Sequence, residues 1–207
     1  GEIAGKTGCS IATQFFSARL ERGAGRVPLD RIPYAVDQAL TMLKPFRHII
    51  TVCTEEPIAF FAYPGKPSKL KPEGCDVLAL CSMQDDCLQA LADLAETVGA
   101  KDKDRIVQAV AEKQRPNGTL NPETLAQALL VTMPEGCILV DESVTTGRES
   151  FGVTAGAVPH DNIQNMGGSI GFGTPLSTGA AIACPNRPVL CVVGDGSAMY
   201  TVQALWT

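Results

Sequence analysis

The sequence predicts an α/β protein made of two segments, each a mainly parallel sheet with helices on both faces. Three observations carry this. Short apolar or β-branched runs alternate with helical stretches, as in His48-Ile49-Ile50-Thr51-Val52-Cys53 and Val189-Leu190-Cys191-Val192-Val193. Gly- and Pro-containing turns separate the runs. A charged stretch, residues 101–118, breaks at Arg115-Pro116-Asn117-Gly118 and reads as a linker between segments 1–100 and 119–207.

Taken in order, residues 11–16 read as a strand after the turn at Thr7-Gly8, and Gly23-Ala24-Gly25 as a loop. Residues 34–43 have helical composition, and Pro45 ends them. Strands follow at 48–53 and 76–81. The helix over 84–98 places Leu88, Leu91, Leu94 and Ala95 on one face, and Gly99 closes it. In the second segment Asn121-Pro122-Glu123 supplies an N-cap, a proline at the first helical position and an early acid, for a helix to about Met133. Ile138-Leu139-Val140 is a strand that runs into the polar residues 141–147. The turn at 167–171 leads to a small-residue helix over 176–183, and strand 189–193 ends in Gly194-Asp195-Gly196-Ser197. Ligands of such sheets bind at the carboxyl ends of strands, where the 141–147 and 194–197 runs lie.

The 207 residues carry a net charge of −5 with 45% hydrophobic residues, so nothing marks a nucleic-acid or anionic-membrane surface. No apolar run is long enough for a membrane span, and no secretory leader is visible. Eight cysteines are present, and Cys75, Cys81 and Cys87 recur every six residues. No close C-x₂₋₄-C pair of the zinc type exists, so the thiols read as buried and free in a reducing compartment, the cytoplasm. Both ends read as cut.

Two motif-like runs read as ordinary turns. Gly1-x₃-Gly5-Lys6-Thr7 is one residue short of a phosphate-binding loop, and Gly23-Ala24-Gly25 lacks a third glycine. The run from Val189 to Ser197 is different: an apolar strand delivers a carboxylate between two glycines. Glycines allow close backbone approach, exposed amides suit phosphate oxygens, and Asp195 is the hard oxygen donor that Mg²⁺ prefers.

Residues 194–207 closely resemble the thiamine-diphosphate motif of benzoylformate decarboxylases and acetolactate-synthase-like proteins, which begins GDGS. Gly167-Gly168-Ser169-Ile170-Gly171-Phe172-Gly173-Thr174-Pro175, Asn121-Pro122-Glu123-Thr124 and Asp141-Glu142-Ser143-Val144-Thr145-Thr146 match the same family in order. The resemblance covers 119–207 strongly, as the start of the diphosphate-binding domain, truncated. Leu20-Glu21-Arg22-Gly23-Ala24-Gly25 and Phe60-Phe61-Ala62-Tyr63-Pro64-Gly65 look like the end of the central domain, so 1–100 is read as its carboxyl-terminal part.

That resemblance implies thiamine diphosphate and Mg²⁺ as cofactors, and it implies a role for each matching residue. Asp195 ligates the metal, while Gly194, Gly196 and Ser197 help hold the diphosphate. Thr145 touches the diphosphate from the neighbouring strand end, with Ser143 and Thr146 beside it. In the 168–170 segment Gly168 offers its carbonyl to the aminopyrimidine, Ser169 follows it, and Ile170 wedges between the cofactor rings; without its neighbours Ile170 would read as a core residue. The family's paired Asn of the metal shell lies beyond Thr207, and its catalytic Glu belongs to an amino-terminal domain, so no catalytic residue is expected here. Neither His48, opening a strand, nor His160, in a loop after Pro159, is expected to replace it. FAD, carried by biosynthetic acetolactate synthases, is not favoured. The activity implied by the resemblance is carboligation of 2-oxo acids by a homodimer or homotetramer. The alternatives are a benzoylformate-type decarboxylase and an inactive truncated domain or assembly partner.

Overall fold

The computed structural model describes residues 1–207. In its first half the elements are helix α1 (Glu2–Thr7), strands β1 (Ala12–Thr13), β2 (Leu20–Arg22) and β3 (Asp30–Arg31), helix α2 (Val36–Leu43), strands β4 (His48–Val52) and β5 (Asp76–Cys81), helix α3 (Cys87–Thr97) and a 3₁₀ turn at Asp102–Asp104. Then come α4 (Pro122–Thr132), β6 (Ile138–Glu142), α5 (Ser150–Val153), β7 (His160–Ile163), α6 (Gly173–Ala183), β8 (Val189–Val193), α7 (Asp195–Tyr200) and a 3₁₀ turn at Val202–Trp206. The contacts divide the chain into two units, 1–15 with 29–106, and 16–28 with 107–207. The break at 106/107 falls inside the charged stretch, but residues 16–28 go with the second unit.

In the first unit β1 pairs with β3 and β4 with β5, both parallel. Val36, Ala39 and Leu43 on one side of α2 bury against Leu70, with Phe46 and Ile32 at the edge, so the apolar face of this helix sets the small core. Helix α3 starts where Asp86 Oδ1 accepts from the amides of Leu88 and Gln89, at 3.1 and 3.0 Å, and stops before Gly99 at φ 68°. The first residues are a helix, not the turn the spacing of Gly1, Gly5 and Thr7 suggested. Gly8, at φ 75°, ends it by donating to the Ala4 carbonyl, and Glu2 is held by Arg105 at 2.7 Å. The expected strand at 11–16 is reduced to Ala12–Thr13.

The second unit has one four-stranded sheet in the order β2-β7-β6-β8, with β7, β6 and β8 parallel and β2 antiparallel on the edge. Its core gathers Leu130 and Met133 with Cys137, Leu139 and Ala157. Helix α4 begins with a reciprocal pair: Thr124 N donates to Asn121 Oδ1 at 2.9 Å, and Asn121 N donates to Thr124 Oγ1 at 2.8 Å. Residues 108–111 are not a free linker, because Gln108 N donates to the Arg26 carbonyl (2.7 Å) and Ala111 N to that of Gly156 (2.8 Å).

His160 corrects the sequence reading. It lies not in a loop but at the start of β7, a buried strand whose residues are His, Asp, Asn and Ile. Asp161 is tolerated there because Arg19 Nε (2.8 Å) and Arg187 (2.6 Å) both reach it. Burial alone would raise the Asp161 pKa, but the bonds from the two guanidinium groups outweigh it and hold the carboxyl below its usual range.

The thiols also depart from expectation. Cys75, Cys81 and Cys137 are buried and free, but Cys9 and Cys191 are exposed, and Cys53 and Cys87 form a disulfide. No helix is long and apolar enough to cross a membrane.

Candidate functional site

Strands β6 and β8 pair in parallel from Ile138↔Val189 to Glu142↔Val193, so Ser143 and Gly194 leave the sheet at the same end. The first peptide beyond β8 is pinned there, Gly194 N donating to the Glu142 carbonyl at 3.2 Å. Glu142 also secures a third segment. Its side chain turns inward, 5% exposed, and accepts from Gly171 N at 2.5 Å and Gly173 N at 2.6 Å. A carboxylate between two backbone donors exchanges its hydration for charge-assisted bonds, which makes its burial tolerable. The segment it holds must be glycine at two places. Gly171 has φ 89°, and a Cβ there would stand 2.7 Å from Tyr200 Cβ; a Cβ on Gly173 would stand 2.9 Å from Glu142 Oε2. Thr201 Oγ1 donates to the Gly171 carbonyl at 2.6 Å and is 2.7 Å from Thr174 Oγ1, which ties the end of α7 to the start of α6.

The groups singled out in the sequence fall into two sets around this frame. Ser143 and Thr146 serve the 141–147 loop itself. Ser143 is 4% exposed and donates to Asp141 Oδ1, while Thr146 Oγ1 donates to the Ser143 carbonyl at 3.1 Å. Thr145 and Asp195 are exposed and Ser197 is half-buried, and their side chains make no hydrogen bond within the chain. Val144, between the two sets, has φ 43°, unusual for a β-branched residue and a mark of a loop held by its surroundings. Gly194 and Gly196 leave open backbone, since a Cβ on either meets nothing closer than 3.9 Å.

Gly168 (φ 70°) and Ser169 stand in an exposed turn that Asn165 braces. Its Nδ2 donates to the Ser169 carbonyl at 2.5 Å, and its Oδ1 accepts from Gly167 N at 2.7 Å. Ile170 is 61% exposed and so holds no place in the core of this chain. Glu142 and Asn165 escaped the sequence reading, because their partners are backbone amides and carbonyls that no motif names.

Neither histidine belongs to this constellation. His48 is exposed at the start of β4, 3.6 Å from Asp76. His160 is buried and its Nδ1 donates to the Val158 carbonyl at 2.8 Å, leaving Nε2 without a partner. Burial lowers its pKa, which favours the neutral ring.

An Mg²⁺–diphosphate pair suits what is present. Asp195 offers an unengaged hard oxygen, Thr145 and Ser197 offer unengaged hydroxyls, and the glycines beside Asp195 admit a ligand to the backbone. One carboxylate leaves most of an octahedral shell to phosphate and water oxygens, as Mg²⁺ prefers.

Comparison with known proteins bears on the diphosphate part of this site. Residues 153–207 match the family described as thiamine pyrophosphate enzyme, C-terminal TPP binding domain. The chain is 41% identical over 201 residues to a Mycobacterium tuberculosis protein named "Putative acetolactate synthase large subunit IlvX", covering 97% of this chain and 39% of that protein. It is 35% identical over 99 residues to benzoylformate decarboxylase of Pseudomonas aeruginosa, 48% of this chain and 18% of the relative. The chain therefore spans well under half the length of these relatives. The crystal structure of benzoylformate decarboxylase from Polynucleobacter necessarius shares the fold, with a TM-score of 0.68 at 18% identity, over 99% of this chain and 42% of that one. The chain belongs to the thiamine-diphosphate-dependent enzymes, in the family of acetolactate synthases and 2-oxo-acid decarboxylases.

Proposed function

We propose that this chain forms the diphosphate- and metal-binding edge of an enzyme that joins 2-oxo acids, as acetolactate synthases do. The observation supporting the site is that β6 and β8 end side by side, so that the loop bearing Thr145 and the turn bearing Asp195 and Ser197 leave the sheet at the same end. Similarity to the acetolactate-synthase-like relative along 97% of the chain supports carboligation. Benzoylformate-type decarboxylation is the second reading, favoured by the match to that decarboxylase over 48% of the chain.

Asp195 would hold Mg²⁺, and Thr145, Ser197 and the amides around Gly194 and Gly196 would hold the diphosphate. Ser143 and Thr146 contribute by fixing the loop that presents Thr145. Gly168 and Ser169 would present backbone to the aminopyrimidine, and Ile170 an apolar surface to the cofactor rings. Thiamine diphosphate supplies an electron sink for loss of carbon dioxide from a 2-oxo acid. The residues here bind and orient it; none is assigned proton transfer, so the chain by itself is expected to leave pyruvate and benzoylformate unturned. Assembly as a homodimer or homotetramer is part of the proposal, supported by the exposed apolar side chains Tyr200, Leu205 and Trp206. A cytoplasmic setting is part of the same proposal, and FAD is not favoured.

Calorimetry with thiamine diphosphate and Mg²⁺ tests the site. Asp195→Ala is expected to weaken binding at least tenfold, roughly 1.4 kcal/mol, without unfolding the chain. Equal affinity in the folded variant would reduce the 194–197 run to a turn.

A further inference from the structure

We propose that, in the reduced chain, Cys53, Cys81 and Cys87 together bind one thiophilic d¹⁰ cation such as Zn²⁺ or Cd²⁺. The site is independent of the cofactor edge and lies wholly in the first unit. The three sulfurs lie within 4.8 Å of one another. Three separate features of the backbone bring them there. The β4–β5 register slips after Thr51↔Ala79, so that Val52 faces Cys81, and this irregularity re-aims the end of β5. Cys53, the next residue, takes φ 52°, a left-handed conformation rare outside glycine, and its amide donates to the Cys81 carbonyl at 3.0 Å. Cys87 is the first residue of α3, fixed by the Asp86 cap.

Cys53 and Cys87 are joined as a disulfide, which needs only two sulfurs. The third is what points to a cation. Cys81 is 4% exposed, and its sulfur lies 3.9 Å from that of Cys53. With metal–sulfur bonds of about 2.3 Å, neighbouring sulfurs of a tetrahedral site stand roughly 3.8 Å apart. The Cys53–Cys81 edge already has that length, and the Cys53–Cys87 edge reaches it by opening once the disulfide is reduced. Thiolate is the ligand that soft d¹⁰ ions select over hard ones. The nearby carboxylate of Asp85 is taken by the amide and hydroxyl of Ser82, both at 2.7 Å, so the fourth position falls to water.

The chemistry balances. A phosphine or dithiol reductant gives two electrons to the Cys53–Cys87 bond, which takes up two protons to become two thiols. Binding then breaks three S–H bonds, forms three metal–sulfur bonds and releases three protons. A two-electron oxidant reverses this, expelling the cation as the disulfide reforms.

The experiment uses the 207-residue chain, reduced and freed of reductant, titrated with Cd²⁺ while thiolate-to-metal absorption is followed. One equivalent is expected, displaceable by Zn²⁺. Cys81→Ser should weaken binding at least tenfold, whereas Cys9→Ser and Cys191→Ser should leave it unchanged. Because Cys81 is buried, alkylation of the unmutated chain provides a second readout. Equimolar Cd²⁺ should protect Cys53, Cys81 and Cys87 together, located by peptide mass, and leave Cys9 and Cys191 reactive. Absence of stoichiometric absorption, equal affinity in Cys81→Ser, or protection of a different set of thiols would each overturn the proposal.

Discussion

Each unit carries a parallel strand pair whose carboxyl end collects polar atoms, and the two ends differ in kind. At β4 and β5 the collected atoms are sulfurs, two of them bonded to each other, and the backbone reaches this by a register slip and a left-handed cysteine. At β6 and β8 they are oxygens. There the strands stay in register to the last pair, and a buried carboxylate organises the loops instead. The contrast teaches that similar strand ends acquire different chemistry through what fixes the loops beyond them. Covalent closure suits soft ligands drawn from distant positions. Charge-assisted bonding to backbone leaves hydroxyls and a carboxylate free to face a ligand.

The contrast breaks most readily at the disulfide. Cys53 and Cys87 are 34 residues apart, and opening a loop of that size is expected to cost the first unit about 3–4 kcal/mol. Denaturant unfolding with and without reductant, followed by a probe in that unit, measures it. An unchanged midpoint would mean that α2 and its core hold the unit alone.

The equivalent blow to the second unit is Glu142→Ala. It leaves the amides of Gly171 and Gly173 buried without acceptors, for a loss of about 3 kcal/mol together with loss of cofactor binding. Glu142→Gln, which keeps one acceptor, should fall between. If Glu142→Ala unfolds like the parent, the loops are held by the threonine bonds alone.

Acid should separate the units next. In the second, His160 has a lowered pKa, so the unfolded chain takes the proton first. The stability due to its neutral form is complete above about pH 6.5 and falls as the pH drops below that towards the folded pKa. Asp161, also lowered, contributes stability above about pH 4 that is lost in stronger acid. Ion pairs of the first unit, such as Arg105 with Asp102, are surface contacts of small value. Melting between about pH 7 and 5 should therefore lower the second unit's transition first; a pH-independent transition would contradict the buried neutral imidazole.

The smallest stability effect is expected at Ile170. Because it is 61% exposed, Ile170→Ala should change stability by no more than about 0.5 kcal/mol. If Ile170 shapes the bound cofactor as proposed, kcat of the full-length protein should nonetheless fall more than tenfold while cofactor affinity holds, because such a surface acts on rate. Measuring melting and turnover on one preparation separates this from packing.

The strands β4, β5 and β8 were legible because their apolar runs are what parallel strands require, and α4 because Asn121 and Pro122 announce it. Strand β7 was not. His160, Asp161 and Asn162 look like loop residues until Arg19, from 142 residues earlier, and Arg187 meet the aspartate. Among the site residues, Asp195 and its glycines stood out locally, whereas Glu142 takes its meaning from amides 29 and 31 residues away. The cysteines misled for the same reason. Their six-residue spacing drew attention to Cys75, but strand pairing places Cys53 beside Cys81 and Cys87.

The antiparallel strand β2 bears on how such a chain can be reassembled by recombination. Residues 16–28 leave the first unit, cover the edge of β7 and return, so the backbone crosses between units at 15/16, 28/29 and 106/107. A crossover in the charged stretch would look neutral by composition, yet it would part β7 from its neighbour and Asp161 from Arg19. The exposed strand edge left behind would invite pairing with other chains. Inheritance should thus keep residues 16–28 and 107–207 matched as one set, and chimaeras between relatives should fold only when both stretches come from the same parent.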